Sequence, residues 1–224
     1  MGYSIAVDGP AGAGKSTIAK RIAKQLGCIY VDTGAMYRAM ALFLLRNGVR
    51  ADDGEAISGK CQEADISIRY ENGEQVVLLN GENVNGLIRT EEVGNMASAS
   101  SPNPAVRKKL VSLQQKLAKT SDVIMDGRDI GTCVLPDATV KIYLTASSRV
   151  RAMRRYEELT AKGVACDFET IEADIVKRDH QDMTRENSPL KQAEDAILVD
   201  SSNLDIDGVV SEIVRICREK GIDA

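Results

Sequence analysis

A single histidine, His180, and five scattered cysteines with no C-x-x-C pair offer no ligand set for a structural zinc or a haem. The cysteines (Cys28, Cys61, Cys133, Cys166, Cys217) are odd in number and form no disulfide framework, which suits a reducing, cytoplasmic compartment. No apolar run approaches the length of a membrane span. Strand-forming residues begin almost at the first position, so no signal peptide is read there. Met1-Gly2 lacks the Ser or Thr that a myristoylation start requires, since Ala6 stands in that place. No basic stripe runs along the chain, and the net charge is −4 with both signs mixed. Neither nucleic acid nor a membrane is therefore an expected partner. Internal repeats, low-complexity tracts and linkers are also missing. With 224 residues and 43% hydrophobic content, the chain can bury one good core with small insertions.

What the chain does have is Gly9-Pro10-Ala11-Gly12-Ala13-Gly14-Lys15-Ser16-Thr17, a match to G-x-x-x-x-G-K-[ST]. Residues 4–8 before it have the pattern of a short buried strand, and residues 18–26 after it have helical apolar spacing. Strand, glycine-rich loop and helix together form the context that a phosphate-binding loop needs. Its glycines let successive N–H groups converge on phosphate oxygens at the positive end of a helix dipole. Lys15 is expected at the β- and γ-phosphates of a nucleoside triphosphate. Ser16 is expected on Mg²⁺, and Thr17 near the α-phosphate.

Strand and helix patterns then alternate. Core strands are predicted to start near residues 4, 28, 123, 140 and 196. Helices are predicted over 35–46, 90–100, 104–120, 147–162, 168–186 and 205–220. The rhythm breaks at 65–85, where alternating residues flank Asn72-Gly73 and Asn80-Gly81, which reads as two or three short antiparallel strands. The expected fold is α/β: a P-loop three-layer sandwich with a five-stranded parallel sheet, helices on both faces and a small antiparallel insert. Ligands in such a sheet sit at the carboxyl ends of strands. Gly9, Asp32-Thr33-Gly34, Asp126-Gly127-Arg128-Asp129 and Asp200-Ser201 fall at those ends.

Three features carry candidate chemistry. Arg128 has the fork geometry for phosphate oxygens, and Asp126 or Asp129 could hold water on Mg²⁺; a local ion pair at a strand end is the plainer reading. Ile171, Ile175, Arg178, Asp182 and Arg185 lie along one helix face, apolar first and ionic later. Helix physics alone reads Arg178 and Asp182 as a solvated i,i+4 salt bridge. Arg149, Arg151, Arg154 and Arg155 open another charged helix, which is either a solvated face or a lid that brings Arg over a transferring phosphoryl group. No general base stands out. A phosphomonoester acceptor needs none, because its second pKa is about 6; it needs cations that suppress the repulsion between two polyanions.

On these residues the chain resembles the bacterial cytidylate kinases, within the nucleoside monophosphate kinases. The resemblance rests on Asp8-Gly9-Pro10 with the loop, Asp32-Thr33-Gly34-Ala35-Met36-Tyr37-Arg38, Ile88-Arg89-Thr90-Glu91-Glu92-Val93, Asp126-Gly127-Arg128-Asp129-Ile130-Gly131-Thr132, Pro136-Asp137-Ala138 and the run Arg178-Asp179…Asp182…Arg185…Pro189-Leu190. It implies one P-loop kinase unit with core 1–64, 86–149 and 167–224, a β insert at 65–85 on the monophosphate-binding side, and a lid at 150–166. It implies that Thr33, Arg107 and Arg185 meet cytosine, Arg38 and Arg128 meet the CMP phosphate, and Arg178 and Asp182 meet the sugar hydroxyls. This reading replaces the solvated salt bridge. Gly9 to Thr17, together with Arg154 and Arg155, would contact ATP, with Lys15, Arg128 and Asp129 in catalytic roles. Thr33 stands where some relatives carry Ser, so the hydroxyl is kept. The implied reaction is phosphoryl transfer from ATP·Mg²⁺ to CMP or dCMP by a monomeric enzyme of pyrimidine nucleotide metabolism. Rival readings are a kinase for another small acceptor such as UMP or shikimate, a nucleotide-dependent switch or binding module (although N-K-x-D is absent) and an ATP-dependent nucleic-acid-binding protein, which the acidic balance disfavours.

Overall fold

The structure is a computed structural model that describes residues 2–222. Its main sheet has five strands: β1 (Ser4–Asp8), β2 (Ile29–Asp32), β6 (Val123–Gly127), β7 (Val140–Thr145) and β8 (Ile197–Asp200). Their order is β2-β6-β1-β7-β8, and the β6–β1, β1–β7 and β7–β8 pairings are all parallel. The central place of β1 explains why Ile5, Ala6 and Val7 are consecutive apolar residues with no solvent exposure. Three further strands, β3 (Ile66–Glu71), β4 (Glu74–Leu79) and β5 (Glu82–Asn83), form a separate antiparallel sheet. Two-residue turns set its register. Asn72-Gly73 and Asn80-Gly81 both have positive φ at each residue, the type I′ geometry that matches strand twist. Glu71 therefore pairs with Glu74, and Leu79 with Glu82.

By its internal contacts the chain divides into two compact units, residues 3–28 with 122–222, and residues 29–121. In the first unit, helix α1 (Lys15–Leu26) starts at Gly14 and stops at Gly27, both left-handed. Its stripe of Ile18, Ala19, Ile22, Ala23 and Leu26 is buried. Helix α8 (Ile206–Glu219) is capped by Asp205 and buries Val209, Val210, Ile213, Val214, Ile216 and Cys217. Helices α6 (Ser148–Ala161) and α7 (Phe168–Thr184) are mostly polar, and no residue of α7 is fully buried. The predicted apolar half of α7 is accordingly only half-buried at Ile171 and Ile175.

In the second unit, α2 (Thr33–Arg46) begins two residues earlier than its apolar pattern suggests. Asp32 caps it by accepting the Ala35 N–H at 2.8 Å, so Thr33 and Gly34 join the first turn. Helix α4 (Glu91–Ser100) is capped by Thr90, and α5 (Pro104–Thr120) by Asn103 with Pro104 in the first turn. The stretch 49–64, to which the sequence pattern assigns no element, holds α3 (Gly54–Lys60) and a 3₁₀ turn at Cys61–Glu63. At seven residues α3 is too short to show a helical period, and its Asp53 cap is its main sequence signal.

Candidate active site

Strand β1 ends at Asp8, and the chain turns at Gly9 with φ +148°. A Cβ there would lie 1.9 Å from the Leu144 carbonyl oxygen of β7, so the loop can leave the sheet at this point only through glycine. Gly12 and Gly14 also have positive φ, the backbone geometry from which a concave run of N–H groups suited to an anion is built. Lys15 is buried, and its Nζ donates to the Pro10 carbonyl at 2.7 Å. Burial, and then the neighbouring Arg128, lower its pKa. The Ser16 hydroxyl donates to Asp126 Oδ2 at 2.9 Å. That hydroxyl–carboxylate pair is an all-oxygen donor set, which suits a small hard cation such as Mg²⁺.

Strand β6 delivers Asp126 and Gly127, with Arg128 and Asp129 directly behind them. The chain then makes one π-type turn, Ile130–Val134, with i→i+5 bonds from Val134 N to Asp129 O and from Leu135 N to Ile130 O. Asp8 fixes the start of that turn. Its two carboxylate oxygens accept the N–H groups of Ile130 at 2.8 Å and Gly131 at 2.7 Å. Burial pushes the Asp8 pKa up to about 6, although the two N–H bonds pull the other way.

Arg128 Nε donates to Asp182 Oδ2 at 2.7 Å, and its Nη1 donates to the Gly127 carbonyl at 3.2 Å. Asp182 is thus bonded to Arg128 of the strand end, and the expected helical pair with Arg178 is not the bond it makes. Arg178 is exposed as a residue, yet its pKa is lowered, first by partial burial and then by Arg128. Arginine stays charged regardless, so the shift records chiefly the partial burial of a cation, with the Arg128 charge nearby adding to it. Arg185 lies just past α7 in extended geometry, with Nε on the Ser188 carbonyl at 2.7 Å and Nη2 3.8 Å from Asp129 Oδ1. Pro189 disfavours helix at the preceding residue, which is one reason the helix stops short of 186. Of the predicted ATP contacts on α6, Arg154 is bonded to Ser201 through its Oγ and its carbonyl, at 3.2 and 2.8 Å, and Arg155 pairs with Glu158 at 2.9 Å.

The first unit therefore brings together Lys15, Ser16, Asp126, Arg128, Asp129, Arg178, Asp182 and Arg185. The second unit carries Thr33, Arg38 and Arg107. Thr33 is buried in the first turn of α2. Arg38 Nη1 donates to the Ile88 carbonyl at 3.1 Å and lies against Gly94, where a Cβ would come within 3.1 Å of it. Arg107 is buried on α5 with its guanidinium 6.0 Å from the Tyr37 ring centroid. Arg89 Nη2 bonds Asp32 Oδ2 at 2.6 Å and so steadies the α2 cap.

Sequence reasoning missed Arg151 and Asp179. The four arginines that open α6 look alike in sequence, yet Arg151 is only 4% exposed and bonds both the Ala11 carbonyl and Asp179. Asp179 sits inside the Arg178-Asp179 run, which was its only signal. Asp8 stood in the motif Asp8-Gly9-Pro10, with nothing to show that its partners lie more than a hundred residues away.

The sequence model described as "Cytidylate kinase" matches residues 5–219. The chain belongs to the cytidylate kinase family. It is 51% identical to the cytidylate kinase of Caldicellulosiruptor saccharolyticus over 213 residues, covering 95% of this chain and 94% of that one. It is 49% identical to the cytidylate kinase of Ligilactobacillus salivarius over 216 residues, covering 96% of each. Among solved structures, a shikimate kinase from Bacteroides thetaiotaomicron shares the fold, with TM-score 0.52, 12% identity, and coverage of 96% of this chain and 98% of that one. At that identity the likeness concerns the fold alone. The phosphate-binding loop, the five-stranded sheet and the family membership together make the chain an ATP-dependent phosphotransferase of the kinase type.

Proposed function

We propose that this chain transfers the γ-phosphate of ATP to CMP or dCMP, giving ADP and CDP or dCDP. The observation that carries the reading is the family match along nearly the whole chain, 5–219, which includes every residue assigned to the acceptor. The geometry of the first unit agrees with it: a cation cluster beside the phosphate-binding loop, with acidic groups held in ion pairs and hydrogen bonds.

ATP phosphates lie on the N–H groups of the loop from Gly9 to Thr17. Lys15 exchanges the Pro10 carbonyl for the β- and γ-phosphates, which also restores favourable surroundings for its charge. The Ser16 hydroxyl, hydrogen-bonded to Asp126, would hold the Mg²⁺ that accompanies ATP, with the Asp126 carboxylate as its acidic partner. Mg²⁺ bound with ATP would supply positive charge against the charge that develops on the transferring group. Arg128 uses two of its five N–H donors within the protein and offers the others to the CMP phosphate, as Arg38 does from the second unit. Asp129 holds Arg185 in place beside the reacting groups. Arg178 and Asp182 take the sugar hydroxyls, and Thr33, Arg107 and Arg185 read cytosine. Arg154 and Arg155 meet ATP by exchanging their present partners. An oxygen of the CMP phosphate, already ionised, attacks the γ-phosphorus in line; the new P–O bond forms as the bond to the ADP oxygen breaks. Charge on the transferring group falls on Lys15 and the arginines.

Residues 65–85 serve as the insert on the monophosphate side and 150–166 as the lid, in a monomer working in cytoplasmic pyrimidine nucleotide metabolism. Five free cysteines support a reducing compartment. The test is the initial rate of ADP production with ATP·Mg²⁺ and CMP, dCMP, UMP, AMP, GMP, dTMP or no acceptor. Fast turnover with CMP and dCMP, weak turnover with UMP and little with the others is the expected pattern. Slow hydrolysis that ignores the acceptor would overturn the reading.

A further inference from the structure

Arg151 packs beside the loop in a set of four hydrogen bonds, and the reaction as derived does not use it. Its Nε donates to the Ala146 carbonyl at 2.8 Å and its Nη1 to the Ala11 carbonyl at 2.9 Å. Nη1 and Nη2 also grip the two oxygens of Asp179 at 3.1 and 2.6 Å. Four of its five N–H donors are thereby occupied, and only 4% of the residue meets solvent. With one N–H donor left and almost no access to solvent, such a side chain is not placed to act as an ATP ligand.

What it does hold is a peptide plane. In a trans peptide the carbonyl and the following N–H point in opposite directions. Anchoring the Ala11 oxygen on Arg151 turns the Gly12 N–H away from Arg151. Gly12 cannot set this orientation itself, because with φ +76° and no side chain either rotation of the plane is open to it. The Arg151 stem also lies beneath Gly12, where a Cβ would be 3.5 Å from the Arg151 Cβ. Asp179, between Arg178 and Asp182 on α7, fixes the plane of the guanidinium by bidentate pairing.

We infer that Arg151 is a positioning residue: it locks the Ala11–Gly12 peptide so that the Gly12 N–H is presented to the triphosphate, and Asp179 ties that lock to the helix that carries Arg178 and Asp182. This rests on the reading that the loop binds ATP, and not on the identity of the acceptor. A lysine at 151 keeps the charge but offers one nitrogen, which cannot bond Ala146, Ala11 and both Asp179 oxygens at once.

The experiment measures ATP·Mg²⁺ affinity by titration calorimetry without acceptor, then steady-state kinetics with CMP, for the wild type, Arg151→Lys, Asp179→Asn and the double variant. Arg151→Lys is expected to weaken ATP binding by about 10- to 100-fold, and Asp179→Asn by about 3- to 30-fold. The double variant should match Arg151→Lys within about twofold, because both residues act through one link. KM for ATP should rise with the dissociation constant. Mere loss of fold would lower the active fraction, and hence kcat, with affinity intact. ATP affinity within twofold of wild type in both single variants, with only the melting temperature lowered, would overturn the proposal. If Arg151→Lys does not fold, Asp179→Asn decides alone by the same criterion. A wild type that binds ATP but ignores CMP would sink the acceptor assignment and leave this inference to be judged on the ATP affinities.

Discussion

Replacing Gly9 by alanine tests the geometry on which the phosphate-binding loop depends. Two separate penalties act there. Gly9 has φ +148°, a region that side-chain-bearing residues avoid at a cost of about 1–3 kcal/mol. The new Cβ would also sit 1.9 Å from the Leu144 carbonyl oxygen, so β7 or the loop must retreat by about 1 Å, and overpacking of this kind costs about 1–3 kcal/mol more. The retreat is resisted because Asp8, one residue earlier, is held in register with Tyr143, one residue before Leu144. The expected total is about 2–6 kcal/mol, a large share of the 5–15 kcal/mol typical of a domain. Gly27→Ala is the matched control. It has φ +68° at the end of α1 but open space around the new Cβ, so it should lose only about 1 kcal/mol. Urea unfolding of the two variants, followed by circular dichroism, gives the comparison directly. Equal losses, within about 0.5 kcal/mol, would show that the close approach of Gly9 to Leu144 does not constrain the protein, and the argument for glycine at the start of the loop would fail.

Arg128→Ala should lower kcat/KM for CMP by about 10²-fold or more while ATP affinity changes by less than about threefold; near-normal CMP kinetics would remove Arg128 from the acceptor site. Asp8 keeps its proton in the folded state up to about pH 6, against 3.8 for an ordinary aspartate side chain, so the folded chain binds the extra proton in that window. Its contribution to stability is therefore lost as pH rises from about 4 to 6, by about 3 kcal/mol in order of magnitude. Subtracting the pH–stability curve of Asp8→Asn from that of the wild type should reveal this falling slope, and a flat difference would contradict it. Gln114 on α5 is fully buried, and neither polar atom of its side chain has a partner among the described residues. Gln114→Met should stabilise the protein by about 1–3 kcal/mol, read as a rise in melting temperature; a fall would point to a bound water that satisfies the amide.

Local sequence was enough to specify the phosphate-binding loop, the alternation of the five core strands with the longer helices, and the two hairpin turns, because each depends on residues close together in the chain. Glycine at 12 and 14 beside Lys15 and Ser16, and Asn-Gly pairs at 72–73 and 80–81, specify backbone shapes that few other residues adopt. Helix α5 was legible to the residue because Asn103-Pro104 marks its start and a long amphipathic stripe follows. The short helix α3 and the turn Ile130–Val134 were not legible, since neither is long enough for periodicity to rise above chance. The candidate acceptor residues were named through resemblance; charge pattern alone favoured a surface pair of Arg178 with Asp182. Only the tertiary structure gave Asp182 to Arg128, buried Arg151 among four look-alike arginines, and set Asp8 against two N–H groups from a distant loop. A side chain's charge and donors are written in its sequence position. Which partner they meet depends on segments that the sheet brings together from more than fifty residues away, and local pattern carries no record of that.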